Sequence, residues 1–230
     1  AGVPAETDAA FRARVARLRA AQDTQPALPP GLQVELRPYQ EDGYVWAMRL
    51  AQAGFGACLA DDMGLGKTIQ ALAVLVARGG DGPALVIAPT SVCGNWLAET
   101  QRFAPTLNPV IYGEGDRAGS IAAAGPRDVL IVSWTLLQQA QESFVARRWH
   151  TVVADEAQAV KTAAAKRSLA LFELQTDFRM ALSGTPVENR LAELWSIMRY
   201  CNPGLLGTLW MLGNGLFLIF LASVLGEEQP

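Results

Sequence analysis

Residues 60–68 read ADDMGLGKT, after an apolar run (GACLA, 56–60) and before a helical stretch (TIQALAVLVA). A strand, a glycine-bearing loop and Gly-Lys-Thr at a helix start is the arrangement that cradles phosphate groups. Gly64 and Gly66 can turn backbone N–H groups toward phosphate oxygens in conformations other residues resist. The helix N-terminus adds its positive dipole end. Lys67 is then placed to reach β- and γ-phosphates, and the Thr68 hydroxyl to bind Mg²⁺. The strict pattern asks for glycine where Asp61 stands, so a plain glycine turn with a solvated lysine is the alternative reading. The second chemical signal is TVVADEAQ at 151–158. An Asp-Glu pair closing an apolar strand lies where the phosphate loop sits in a parallel sheet. Asp155 would hold Mg²⁺ through water, and Glu156 would polarise the attacking water. Oxygen ligands suit a hard cation beside phosphates. Taken alone, the pair could equally be a helix start with favourably placed negative charge.

Positioning these groups requires regular elements around them. Apolar β-like runs occur at 56–60, 84–88, 109–112, 128–133, 151–154 and 178–182. Helical spacing fits 7–22, 40–52, 67–78, 91–103, 135–147, 163–174 and 189–200. Continuous apolar strands alternating with helices predict an α/β fold, a parallel sheet with helices on both faces. Ligands of such sheets bind at the carboxyl ends of the strands. The Pro-rich QPALPPG at 26–32 reads as a linker after an N-terminal helix. We therefore expect a helical segment and linker at 1–32, a nucleotide-binding lobe at 33–206 and an atypical apolar tail at 207–230. Residues 205–225 carry no charge and are long enough to span a bilayer. Gly207, Gly213, Asn214 and Gly215 interrupt that stretch and no flanking Lys or Arg supports it, so no membrane partner is expected.

Composition narrows the class. Half of the residues are hydrophobic and 18% are charged, too apolar for a disordered chain. Three scattered cysteines (Cys58, Cys93, Cys201) argue against a disulfide framework, and a single histidine, His150, against a Cys/His zinc site. The net charge of −3 gives no support for nucleic-acid binding but leaves room for a local phosphate-binding patch. Residues 1–20 lack the pattern of a signal peptide, so the expected setting is cytoplasmic or nucleoid-associated.

Four motifs stand in order: ADDMGLGKT, APTSVCGNW at 88–96, DEAQAVKT at 155–162 and LSGTPVENRLAELWS at 182–196. With LRPYQEDGYVW at 36–46 ahead of them and NPGLLG at 202–207 behind, they resemble the Swi/Snf family of helicase-like ATPases in superfamily two. The resemblance covers roughly residues 33–206 and stops after Gly207. It implies a RecA-like P-loop NTPase lobe, here without the second RecA-like lobe that follows in the family. It further implies Mg²⁺ and ATP as ligands and double-stranded DNA as partner.

The resemblance also implies roles for individual residues. Gln40 would read the adenine edge, with Arg37 and Tyr39 nearby. Met63, Gly64, Leu65, Gly66, Lys67 and Thr68 would form the triphosphate cradle. Lys67, Asp155 and Glu156 would be the catalytic set, Thr68 and Asp155 the metal side. Ser183, Gly184 and Thr185 would couple nucleotide state to DNA grip, or simply make a turn after a strand. Thr90, Ser91 and Ser133 would contact DNA phosphates, although helix capping would use the same groups. Lys161 would be a further DNA contact or a solvated surface lysine. Trp96 reads as core or interlobe packing. The family often has His where Gln158 stands. A non-catalytic ATP-binding scaffold or interaction module is the alternative to an ATP-driven DNA translocase.

Overall fold

The computed structural model describes residues 5–62, 64–159, 166–184 and 191–203. Met63, Lys161, Thr185 and the uncharged stretch 205–225 lie outside the described residues. Among the described residues six strands form one parallel sheet: β1 (Ala57–Leu59), β2 (Ala84–Ala88), β3 (Asn108–Ile111), β4 (Asp128–Ser133), β5 (Arg148–Ala154) and β6 (Gln175–Leu182). Their order across the sheet is β1-β6-β5-β2-β4-β3. Around them lie α1 (Ala5–Gln22), α2 (Pro38–Ala53), α3 (Lys67–Arg78), α4 (Thr90–Phe103) and α5 (Arg117–Ala123). The remaining helices are α6 (Trp134–Gln139), α7 (Gln141–Val145), α8 (Lys166–Glu173) and α9 (Leu191–Cys201).

The apolar runs become strands because both faces of the sheet are covered. Successive side chains of a strand point to opposite faces, and β2 divides accordingly. Val86 joins Leu72, Val74 and Leu75 of α3 and Trp96 of α4 in one core. Leu85 and Ile87 join Leu137 of α6, Phe144 of α7 and Tyr200 of α9 in the other. Every residue of β2 is buried, and each large aliphatic side chain so placed contributes about 1.5–3 kcal/mol of transfer free energy. The expected α/β class, with helices on both faces, is the fold found.

Two local departures have clear causes. The apolar pattern gave no helix at 117–123, because α5 buries Ile121 as its anchor and carries Gly119 inside it. Its start is fixed by the Asp116 carboxylate, which accepts the Gly119 N–H at 3.0 Å. The single helix expected at 135–147 is instead two, α6 and α7, broken at Ala140 (φ −111°, ψ 26°).

α2 is the element that reaches the phosphate loop from outside the sheet. Pro38 stands in its first turn, where its missing N–H costs nothing. At its other end Gly54 turns left-handed (φ 78°), its N–H reaching the Ala51 carbonyl while Phe55 N–H reaches Leu50, a Schellman closure. The linker before it is fastened to it: Arg49 Nε donates to the Thr24 carbonyl at 2.8 Å and Tyr44 OH to the Ala27 carbonyl at 2.8 Å.

Candidate functional site

The carboxyl edge of the sheet gathers the chemistry. The loop after β1 enters α3 through Gly64 (φ 85°) and Gly66 (φ 78°), both in the left-handed region where a Cβ is strained. A Cβ on Gly66 would also run into Gln40 Nε2. At the start of α3 the Lys67 ammonium folds back over the loop and donates to the carbonyls of Asp61 (2.7 Å) and Asp62 (2.9 Å). Thr68 follows it, half-buried in the first turn.

Asp61, the residue that departs from the strict loop pattern, has a structural role. Its carbonyl is one of the two acceptors of Lys67, and its carboxylate accepts Gln70 Nε2 at 3.0 Å. The loop is thus braced from α3 without glycine at that position.

Gln40 sits buried in the first turn of α2. Its Oε1 accepts the Arg37 N–H at 3.0 Å and its Nε2 donates to the Leu65 carbonyl at 3.0 Å. Tyr39 OH donates to the same carbonyl at 3.0 Å. Gln40 therefore both caps α2 and ties it to the phosphate loop. Each amide atom keeps one further hydrogen-bonding position for a ligand edge. Arg37 is exposed at the cap of α2.

Asp155 stands at the end of β5, two strands from β1, with β6 between them. Its N–H continues the ladder to Ile87 and its carbonyl accepts Trp134 Nε1 at 3.2 Å. Its carboxylate accepts Trp96 Nε1 on Oδ2 (2.8 Å) and Glu156 N–H on Oδ1 (2.9 Å). Burial pushes this carboxyl up, against the two donors and the Lys67 charge that pull it down. Glu99, on the same helix as Trp96, is pushed up by its own burial and by the Asp155 charge.

Glu156 adopts a left-handed backbone (φ 50°). Gln158 Nε2 donates to its carboxylate, and Gln158 Oε1 accepts Ser183 Oγ at 2.8 Å. Ser183, at the end of β6 beside Gly184, is fully buried, and its N–H pairs with Leu59 of β1. The segments after β5 and β6 are therefore joined in one polar set, which the Ser183 N–H ties to the end of β1.

The residues expected on the DNA side lie farther along the same edge, after β2 and β4. Thr90 and Ser91 are exposed in the first turn of α4. Pro89 holds the cap position there, with no side-chain cap bond. Ser133 is buried and caps α6, its Oγ accepting the Leu136 N–H at 3.2 Å; here the capping alternative is the one seen.

Trp96 fills the core as expected, 1% exposed, but its N–H goes to a catalytic candidate rather than to a helix carbonyl. Spacing gave no hint of this contact. The available signal was chemical: a buried indole N–H must find an acceptor, and α4 follows the strand that neighbours β5.

Known proteins resemble the chain over this architecture. A family model for the SNF2-related domain matches residues 39–214. A Bacillus subtilis (strain 168) protein named as an ATP-dependent helicase/translocase, YwqA, is 43% identical over 217 residues, covering 91% of this chain and 24% of that protein. Helicase SWR1 of Debaryomyces hansenii is 37% identical over 185 residues, covering 76% of this chain and 11% of its own length. The Sulfolobus solfataricus SWI2/SNF2 ATPase core in complex with dsDNA superposes with a TM-score of 0.74 at 36% identity, over 87% of this chain and 45% of that one. The chain thus spans less than half the length of these relatives. Among the described residues no helix is long and apolar enough to cross a membrane. A parallel sheet carrying this phosphate loop and acidic pair at one edge, matched by these relatives, places the chain in the SNF2-related domain family, as the N-terminal RecA-like lobe of a Swi/Snf-type helicase-like ATPase.

Proposed function

We propose that the lobe, residues 33–206, binds Mg-ATP at the carboxyl edge of the sheet and hydrolyses it with water, as the first half of a motor that moves along double-stranded DNA. The observation that supports this best is the set of Asp155, Glu156, Gln158 and Ser183 joined by hydrogen bonds after β5 and β6, with the Lys67 charge acting on Asp155 from the phosphate loop. In the present arrangement two loop carbonyls hold the Lys67 ammonium. A γ-phosphate is a stronger, charged acceptor and would take the ammonium from them. The N–H groups of the loop and of the α3 N-terminus complete the cradle.

The donor set fits Mg²⁺. Thr68 offers a hydroxyl and Asp155 a carboxylate, both hard oxygen donors. Among the described residues no group of three or more His, Cys, Asp or Glu could hold a metal ion; here phosphate oxygens and water would complete the shell. When bound, the cation would neutralise charge on the phosphates. Glu156 orients and deprotonates the attacking water, and Gln158 holds the Glu156 carboxylate. Ser183, bonded to Gln158, couples nucleotide state to DNA grip together with Gly184 and Thr185. Gln40 and Arg37 border the adenine side. Thr90, Ser91 and Lys161 offer phosphate contacts to duplex DNA, a reading supported by the dsDNA-bound neighbour; Ser133 would join them only by giving up its cap.

A second RecA-like lobe outside these 230 residues is the proposed source of arginines for the γ-phosphate. Such contacts are worth about 10³–10⁵ in rate, so hydrolysis by this chain alone is expected to be slow. The test is calorimetric titration of Mg-ATP into the chain beside Lys67→Ala. Binding lost in the variant supports the reading, and absence of binding to the folded wild type refutes it for this lobe. Tight binding with no duplex-stimulated hydrolysis, even once a second lobe is supplied, would instead favour the ATP-binding scaffold.

A further inference from the structure

Each polar atom of Asp155 meets a partner from a different part of the chain. The backbone N–H goes to β2, the carbonyl to Trp134, Oδ1 to Glu156 N–H and Oδ2 to Trp96. Two of the four partners are indoles, each the buried tryptophan of a helix that follows a strand on the β2 side of β5. Trp134 opens α6 after β4, and Trp96 lies in α4 after β2. An indole is rigid and donates one N–H in one direction. Its hydrogen bond to Oδ2 therefore fixes the rotation of the carboxylate as well as its depth. Loss of such a donor from behind an oxygen ligand typically weakens metal affinity 10–100-fold, because the ligand is then free to turn away.

We infer that Trp96 is a positioning residue for the metal-side carboxylate: its indole N–H holds Asp155 in the one rotation that presents a lone pair toward the phosphate loop. This rests on the reading of Asp155 as the metal-side residue. The same helix carries Thr90 and Ser91 at its exposed start, about 9 Å from Trp96 at roughly 1.5 Å of rise per residue. Any shift of α4 is thereby felt at Asp155 through a single rigid side chain.

The test compares Trp96→Phe, which keeps an aromatic ring and deletes the donor, with Trp149→Phe. Trp149 is equally buried, but its Nε1 donates at 3.1 Å to the Phe144 carbonyl in the other core, away from the site. The readout is nucleotide binding by the 230-residue chain as free Mg²⁺ is varied, alongside binding of metal-free ATP. The expected result is a rise in the Mg²⁺ midpoint of about tenfold or more for Trp96→Phe, with metal-free ATP affinity unchanged. Trp149→Phe should leave both values where they are. A Trp96→Phe midpoint equal to that of Trp149→Phe, with Lys67-dependent binding intact, overturns the positioning role and spares the proposed function. Absence of any Lys67-dependent, Mg²⁺-linked binding in the wild type overturns both. Should Trp96→Phe fail to fold, benzothienylalanine at position 96 keeps the ring shape, removes only the N–H, and must give the same shift.

Discussion

The two ends of the sheet hold charge in opposite ways. At the amino end, Arg78, Asp81, Arg148, His150 and Asp177 face one another. Asp177 pairs with Arg148 and lies 3.3 Å from His150 Nδ1, and Asp81 lies 3.7 Å from His150 Nε2. Arg78 donates to Thr151 Oγ1 at 3.0 Å and stacks over Phe178 at 5.0 Å. Burial pulls its guanidinium pKa down, with Asp81 and Asp177 opposing. Each charge there has its counterpart within the protein, so the set closes on itself. At the carboxyl end, charged groups lean on neutral partners. Lys67 rests on two carbonyls and Asp155 on an indole and an amide. Neutral dipoles hold a charge in place without cancelling it, which leaves it able to meet a charged ligand. On the proposed function, the same sheet uses one edge for stability and the other for binding.

That contrast can be broken by exchanging the consequences of mutation at the two edges. Lys67→Ala should remove about 2.7–4 kcal/mol of stabilisation of the bound or reacting triphosphate, read as lost Mg-ATP binding in calorimetry. The urea midpoint should barely move, since Lys67 gives up two carbonyl contacts near solvent. Arg78→Met should do the reverse. Losing its hydrogen bond and stacking should cost about 1.5–3 kcal/mol in urea unfolding, with Mg-ATP affinity unchanged. A nucleotide effect of Arg78→Met would show that the edges are not independent. Gly66→Ala sharpens the comparison because it strains the backbone of the binding edge. A left-handed alanine costs roughly 1–2 kcal/mol, and its Cβ displaces Gln40 from Leu65, so stability and nucleotide affinity should fall together. The smallest effect concerns the thiols. Burial raises all three, Cys58 to about 11. Thiolate is therefore scarce at pH 8, and alkylation of the folded chain should be far slower than after unfolding. Rapid labelling of Cys58, in the strand that leads into the phosphate loop, would show that this strand opens readily.

Much of the architecture was legible in advance because its cause is local. The run ALVIA at 84–88 is apolar at every position, as a strand covered on both faces must be, and it is β2 without shift. The helix at 67–78 follows from a glycine start and an apolar face, and α3 has those bounds. α5 escaped notice because it is short and weakly apolar, its start fixed by a single carboxylate. β5 begins three residues earlier than the apolar pattern suggested because Trp149 is buried by the far core, a matter of packing rather than periodicity.

The candidate site divides along the same line. Gly64, Gly66, Lys67, Thr68, Asp155 and Glu156 could be named from type and spacing, because each stands where a strand or helix ends, and those ends are written locally. Strand order could not. That β6 lies between β1 and β5 is what joins Ser183 to Gln158 and Glu156. That β2 lies beside β5 is what brings Trp96 to Asp155 across 59 residues of chain. By itself the sequence determined which groups could do chemistry, since backbone freedom, charge and nucleophilicity belong to residue types. The tertiary structure alone decided which groups hold them. A hydrogen bond between distant residues exists only once the sheet has chosen its neighbours and both faces have closed over it.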